Sequence, residues 1–389
     1  MKKTLFLTFD GILEPLGYTQ VLAYLIHLSK ENNISLLSIE KRKDFEQKIY
    51  LKKLKKILLK NNISWDYLIY PNSYIAKYLL IFRVIIKVLI ILAKNKISII
   101  HARSYISGFI CYILSFFFKF TFIFDIRGFW IDERVEWFLW SKKSLKYKIF
   151  KFYEDKIYNK SNIIVTLTND AKKFIIKKNL SNVSENKIFV IPTSVNIKDT
   201  TNDLILKKHF RFTHLGAIGS RYNFYKYIEL INSITLEKEI KMSIINKGEH
   251  TKIKNILNQF NLKNKFELKY IPPYEINNEI FGSDFGVFFP VKGFYLTAYF
   301  PTKLGEFLSC GVPVITCKIN NHVDSILRDN KIGIIIDDLD NINYQNINME
   351  ISSMLNDKNI QKRCISIAKK HFDIINASEQ YRKIYKDFR

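Results

Sequence analysis

Phe300-Pro301-Thr302-Lys303-Leu304-Gly305-Glu306-Phe307-Leu308-Ser309-Cys310-Gly311-Val312-Pro313-Val314-Ile315 reads as a loop, a short helix, a glycine stop and a buried strand. Pro301 and Thr302 suit a helix start, because proline needs no amide partner there and a threonine oxygen can cap free amides. Leu304, Phe307 and Leu308 fall on one apolar side at helical spacing. Gly311 can adopt the positive φ that closes a helix. Val312 to Ile315 is the apolar run of a strand covered on both faces. A helix starting at the end of a parallel sheet attracts anions, since unpaired amides and the macrodipole both point outward. Lys303 adds a full positive charge there, and Glu306, about one turn on, can accept hydrogen bonds from sugar hydroxyls. A diphosphate attached to a ribose needs that combination. The plainer alternative is a capped helix before a buried strand, with Glu306 solvated at the surface.

Outward from this stretch the chain alternates strands and helices, the pattern of parallel sheets with helices on both faces. Strands are expected at Leu5–Phe9, Ile34–Ile39, Trp65–Ile69, Ile97–Ile100, Phe120–Phe124, Ile163–Thr166 and Ile188–Ile191. Asn196 to Lys208 is polar and carries no period, so it reads as a linker. A second set follows at Arg211–Leu215, Met242–Ile245, Phe266–Tyr270, Asp284–Phe288, Val312–Ile315 and Gly333–Ile336. The domains are therefore 1–195, a linker at 196–209, and 210–375. Two Rossmann-like halves joined by one linker imply a deep cleft, with ligands beyond the carboxyl ends of strands.

Composition bounds the function. With 389 residues and 48% hydrophobic content, the chain can bury two ordinary cores. Cys111, Cys310, Cys317 and Cys364 are scattered without a Cys-x-x-Cys pair, against a zinc site or a disulfide framework and for a reducing compartment. Met1-Lys2-Lys3 runs straight into a strand-like segment too short for a signal peptide. No span is neutral and long enough to cross a bilayer: Arg83 and Lys87 interrupt Leu79–Ala93. The net charge is +25, but the lysines are spread and no nucleic-acid motif is present, so nucleic acid is not an expected partner. Compositional bias plus some attraction to an anionic membrane accounts for it. The Tyr74–Lys96 segment, with Lys77, Arg83, Lys87, Lys94 and Lys96, can lie on an anionic leaflet or be an ordinary packed helix with its basic face in water.

The Phe300–Ile315 stretch resembles the donor-binding signature of family 4 glycosyltransferases, retaining enzymes of GT-B fold. Phe9-Asp10-Gly11 with Pro15-Leu16-Gly17-Tyr18-Thr19-Gln20 resembles the family's first loop. Ile100-His101-Ala102-Arg103-Ser104 and Phe124-Asp125-Ile126-Arg127-Gly128-Phe129-Trp130 resemble a bacterial, group 1 branch of it. So do Val165-Thr166-Leu167-Thr168, Val190-Ile191-Pro192-Thr193-Ser194-Val195 and His214-Leu215-Gly216, in the expected order. The resemblance implies an α/β GT-B fold, two Rossmann-like domains facing across a cleft, whose final helix, 376–389, crosses back onto the N-terminal, acceptor-side domain. It implies a retaining transfer of a hexosyl or related sugar from a nucleotide-sugar to a glycan or lipid-linked acceptor, in surface polysaccharide assembly. The location implied is cytoplasmic, peripheral at the inner face of the plasma membrane. No cofactor or metal is implied. Asp337, Asp338 and Asp340 read as a surface turn. A nucleotide-sugar epimerase of similar fold and a non-catalytic nucleotide-sugar-binding or scaffold protein are the rival readings.

The donor residues expected are Gly17, Gly216, Arg221, Ile271, Thr302, Lys303, Leu304, Gly305 and Glu306. Amides near Lys303, Leu304 and Gly305, with the Lys303 ammonium, would take the departing charge. Arg221 and Lys226 are further cations, each of which also fits a solvated helix start. Gly17 lets backbone approach the phosphates, or is a turn glycine. Ile271 lies in Tyr270-Ile271-Pro272-Pro273-Tyr274, which resembles the segment whose backbone reads the base. His101, Arg103, Asp125 and Arg127, with Trp130, Asp132 and Glu133 nearby, are expected in loops after two strands, positioning sugar and acceptor rather than attacking covalently. Asp125 with Arg127 also fits a local ion pair. The family's paired glutamates put the first at position 298, where this chain has Ala298. The donor sugar must then be held differently across Val291–Phe300.

Overall fold

The computed structural model describes residues 2–197, 208–219, 221–260, 262 and 265–387. Most of the stretch read as a linker lies outside these residues. The chain divides into two compact units. The first comprises Met1–Pro192, Thr297–Tyr299 and Ile374–Arg389, and the second Thr193–Leu296 and Phe300–Asp373.

Among the described residues, the first unit holds a seven-stranded parallel sheet. Its strands are β1 (Lys2–Thr8), β2 (Asn32–Glu40), β3 (Ser64–Ile69), β4 (Ile99–Arg103), β5 (Thr121–Asp125), β6 (Ile163–Thr166) and β7 (Ile188–Val190). Their order is β3-β2-β1-β4-β5-β6-β7, so the chain reverses direction along the sheet between β1 and β4. In register, Phe6 lies beside His101 and Arg103 beside Asp125. Every residue of β4 and β6 is buried, as helices on both faces of a parallel sheet require.

The helix after β1 carries a widened, π-type turn at Tyr18–Leu22. Sequence periodicity misses two short helices, Trp130–Glu136 and Ile276–Ile280, because each offers too few turns to show a repeat. The last helix, Ile374–Asp387, packs within the first unit. Tyr381 meets Tyr24 edge-on at 5.8 Å, and the Lys386 ammonium pairs with Glu31 at 3.0 Å. No helix of the described chain is long and apolar enough to cross a membrane.

Gly17 is required by a close backbone contact within its own loop. A Cβ there would lie 1.9 Å from the Gly11 carbonyl oxygen, so the glycine lets two stretches of the same loop touch. Glu40 holds that loop from the other side, its carboxylate accepting from the Ile12 amide at 2.8 Å and the Leu13 amide at 3.2 Å. Gly17→Ala is therefore expected to cost about 3 kcal/mol, because backbone must move against backbone. A thermal melt unchanged from wild type would show that the loop has slack.

Among its described residues, the second unit holds a six-stranded parallel sheet in the order β10-β9-β8-β11-β12-β13. The strands are β8 (Phe210–Leu215), β9 (Ile240–Ile245), β10 (Phe266–Lys269), β11 (Phe285–Phe288), β12 (Val314–Cys317) and β13 (Gly333–Ile336). Phe212 stacks on Phe285 at 5.3 Å in its core. Here the direction reverses between β8 and β11, and the carboxyl end of such a switch point opens a crevice for ligands.

Candidate active site

The helix Thr302–Ser309 starts beside that switch point. Pro301 is its N-cap and no side chain caps it, so Thr302 is the first helical residue rather than the cap expected. The Leu304 amide already donates to the Pro301 carbonyl at 3.1 Å. The amides of Thr302 and Lys303 are the ones a helix start leaves for an anion, and Leu304 is not. At the other end Gly311, with φ of 74°, closes the helix. The Gly311 and Val312 amides donate to the Leu308 and Phe307 carbonyls, each at 3.0 Å. Val312 is spent on this closure, so the strand begins at Val314 instead.

Lys303 is buried, and its ammonium has no hydrogen-bond partner among the described residues. It lies 3.7 Å from the centre of the Tyr222 ring and 5.4 Å from that of Phe288, the last residue of β11. Aromatic faces offset part of the cost of burying a cation but leave its three donors unused. Gly216, just past β8, turns with φ of 100° beside it. A Cβ at Gly216 would sit 3.3 Å from the Lys303 nitrogen, so glycine keeps the space before the ammonium open.

Glu306 follows Lys303 by one turn and is also buried. Burial pushes its carboxyl up to about 7, against the opposing pull of Lys303. His214, on β8, packs on Phe224 and Tyr227 and faces the Val287 and Ala217 carbonyls. Burial, then the Lys303 charge, pushes its imidazole down to about 3, so the ring is neutral. Two perturbed groups and an unpaired cation within one crevice are the pattern of a binding site rather than of a core.

The loop after β8 is braced by residues that sequence reasoning missed. Glu249 accepts from the Ile218 amide at 2.9 Å and from the Asn246 side chain at 2.9 Å. Asn246 in turn donates to the Gly216 carbonyl at 3.0 Å. The Asn-x-x-Glu spacing after β9 was the signal available. Arg221 is exposed at the start of the next segment. Lys226 is engaged elsewhere, paired with Glu229 at 2.9 Å. Ile271 is half-buried just past β10. Ala298 is buried and belongs to the first unit, where the neighbouring Thr297 carbonyl accepts from the Thr168 hydroxyl at 2.5 Å.

The four acceptor-side residues come together in the first unit, but of the four only Arg127 lies in a loop. His101 lies inside β4, Arg103 ends it and Asp125 ends β5. Asp125 meets Arg127 at 3.5 Å, Arg103 at 3.9 Å and the His101 Nε2 at 3.4 Å. The Tyr381 hydroxyl donates to it at 3.2 Å, and Tyr385 bonds the His101 Nδ1 at 2.7 Å. Burial alone would raise the Asp125 carboxyl, but Arg127, His101 and Arg103 together hold it well below the usual range. Burial lowers His101 against the pull of Asp125. A neutral ring then donates from Nε2 to Asp125 and accepts the Tyr385 proton at Nδ1. The His101, Arg103 and Asp125 side chains are closed off from solvent, so they act through what they hold in place. Arg127, bonded to Gln20 at 3.1 Å, and Asp10, bonded to Arg103 at 2.7 Å, are the more accessible members. Asp132 is spent on Tyr147 and Lys151, each at 2.9 Å. Among the described residues, no cluster of His, Cys, Asp and Glu is placed to hold a metal ion.

Both halves match known families. Residues 60–199 match the Glycosyltransferase Family 4 model, and residues 234–368 match that of the glucosyltransferase 3-like C-terminal domain. The chain is a glycosyltransferase of GT-B fold. The glycosyltransferase is similar over its whole length to solved structures. HepE of Anabaena, in complex with UDP and glucose, aligns at TM-score 0.72 and 13% identity over 100% of both chains. A glycosyltransferase of Rickettsia africae aligns at 0.69 and 17% over 99% of this chain and 98% of its own. The lipopolysaccharide outer core galactosyltransferase WaaB aligns at 0.65 and 14% over 100% of both chains. At such identities the likeness is one of fold. No curated protein matches the glycosyltransferase in sequence.

Proposed function

We propose that this glycosyltransferase moves a sugar from a nucleotide-sugar to a glycan or lipid-linked acceptor, with retention of anomeric configuration. The observation that carries the reading is the Lys303 ammonium, buried without a hydrogen-bond partner before an uncapped helix start at the β8–β11 switch point. As the bond from the anomeric carbon to the diphosphate oxygen breaks, charge accumulates on the diphosphate. Lys303 and the Thr302 and Lys303 amides are set to receive it without reorganising, which is the most effective form of such stabilisation. The acceptor hydroxyl forms the new bond on the same face, and its proton leaves to a diphosphate oxygen. Glu306 takes the ribose hydroxyls, Arg221 adds a second cation, and Ile271 lends its backbone to the base. In the first unit Arg127, held by the His101–Asp125 network, positions the acceptor.

HepE was solved with UDP and glucose and WaaB is a lipopolysaccharide enzyme, which supports a surface polysaccharide role. A lipid-linked acceptor would bring the protein to the inner face of the plasma membrane. The test is a panel of nucleotide-sugars with candidate glycan and lipid-linked acceptors, following free nucleotide and the anomeric proton signals of the product. Acceptor-dependent nucleotide release with the donor's anomeric configuration kept is expected. Release with inverted configuration would remove retention. A changed sugar still joined to its nucleotide would favour an epimerase.

A further inference from the structure

The helices that follow β3, β4 and β5 lie on one face of the first sheet. Each connection runs the same way along the sheet, and parallel crossovers are right-handed almost without exception. The opposite face carries the helix Ala23–Leu28, which the C-terminal helix covers through Tyr381 on Tyr24 and Arg382 on the His27 carbonyl. The three-helix face is apolar and open. The helix Tyr74–Lys94 turns Ile75, Leu79, Phe82, Ile86 and Ile90 outward in one stripe, Ile75 being 77% and Phe82 62% exposed. The helix Leu145–Lys160, about 24 Å long at 1.5 Å per residue, does the same with Leu145, Ile149 and Phe152. Between them, the turn after the helix Ser104–Leu114 exposes Phe117 by 76%. Phe138, 95% exposed, is held at φ of 55°, where a bulky residue is an outlier.

The charge on this face is mainly basic, with Asp66 paired to Lys87. Tyr74–Lys94 contains no acid, and Arg83 and Lys94 flank its stripe. On Leu145–Lys160, Glu154 is buried between Lys151 and Lys178, and Asp155 pairs with Lys178 at 2.7 Å. Lys148, Lys156 and Lys160 remain exposed. Two of these ammonium groups lie over exposed rings: Lys156 is 5.1 Å from the Phe152 centroid, and Lys160 is 4.8 Å from that of Phe116. Protein interfaces are depleted of lysine, and nucleic acid gives no reason for outward Ile, Leu and Phe. Apolar side chains between basic ones match an anionic leaflet.

We propose that this face docks on an anionic lipid bilayer, with Phe82, Phe117, Phe138 and Phe152 entering the headgroup–acyl boundary. The surface is broader than the single helix that the sequence singles out. It rests on the lipid-linked acceptor reading for its purpose but not for the binding itself. The test is co-sedimentation of the full chain with vesicles of phosphatidylcholine alone or mixed with phosphatidylglycerol. Binding to the mixed vesicles is expected to be at least about tenfold tighter and to weaken with salt. The triple changes Phe82→Ser, Phe117→Ser, Phe152→Ser and Arg83→Glu, Lys148→Glu, Lys156→Glu are each expected to weaken it by at least about tenfold. Nucleotide binding and the melting temperature should stay as in wild type, so loss of docking is separable from failure of the donor site. Equal binding to both vesicle types, no vesicle binding, or variants that bind like wild type would overturn the proposal. So would a dimer in lipid-free solution that the variants dissociate.

Discussion

Lys303→Met is expected to lower turnover by about 10²–10³-fold, the loss seen when one preorganised charge-stabilising donor is removed. The variant should melt no lower than wild type. Methionine keeps the length and apolar stem, and the group it removes is a buried ammonium with no hydrogen bond to lose. The Tyr222 and Phe288 rings that face the ammonium accept a thioether equally well. Nucleotide release and thermal melts on the same preparation check both halves. A turnover loss matched by a large fall in stability would make Lys303 a structural residue. Unchanged turnover would remove it from the reaction.

Glu306→Gln is expected to weaken donor binding by about 10–100-fold at pH 8, since hydrogen bonds to a charged acceptor are the stronger kind. The sign of its pH dependence follows from burial. The Glu306 carboxyl titrates at about 7 against an ordinary value of 4.5. A raised carboxyl pKa contributes stability that is fully present below pH 4.5 and lost as pH rises through 7. The interval corresponds to about 3 kcal/mol. The glutamine variant should therefore be more stable than wild type at pH 8 and level with it at pH 4. Donor binding runs the opposite way. Wild-type affinity should strengthen as pH rises through about 7 and the carboxylate ionises, while the variant's affinity stays flat. Calorimetric titration across this range, with melts alongside, gives both curves. A variant that binds donor like wild type and keeps its pH profile would take Glu306 out of the site.

The layered fold is written into the sequence wherever an apolar run has to be buried on two faces. β6, Ile163–Thr166, and β13, Gly333–Ile336, lie at the boundaries that their composition predicts. The Gly311 stop is legible for the same reason, since few other residues accept that φ. What local sequence does not carry is the partner brought in from far along the chain. Tyr385 lies 284 residues from His101, and Tyr381 lies 256 from Asp125, yet these hydroxyls turn an apparent acid–base pair into a closed network. The Asn246–Glu249 brace escapes notice because its only sign is two polar residues after a strand. Lys303 and Glu306 are legible as types and positions. Their burial is not, because a lysine and a glutamate in a short helix are usually at the surface. That burial gives the site its chemistry.

A crystal structure of the full chain with the nucleoside diphosphate identified by the donor panel tests the central claim most directly. A diphosphate oxygen is expected within hydrogen-bond distance of the Lys303 ammonium, with the ribose hydroxyls on Glu306. A nucleotide bound elsewhere, with Lys303 still enclosed by Tyr222 and Phe288, would contradict it.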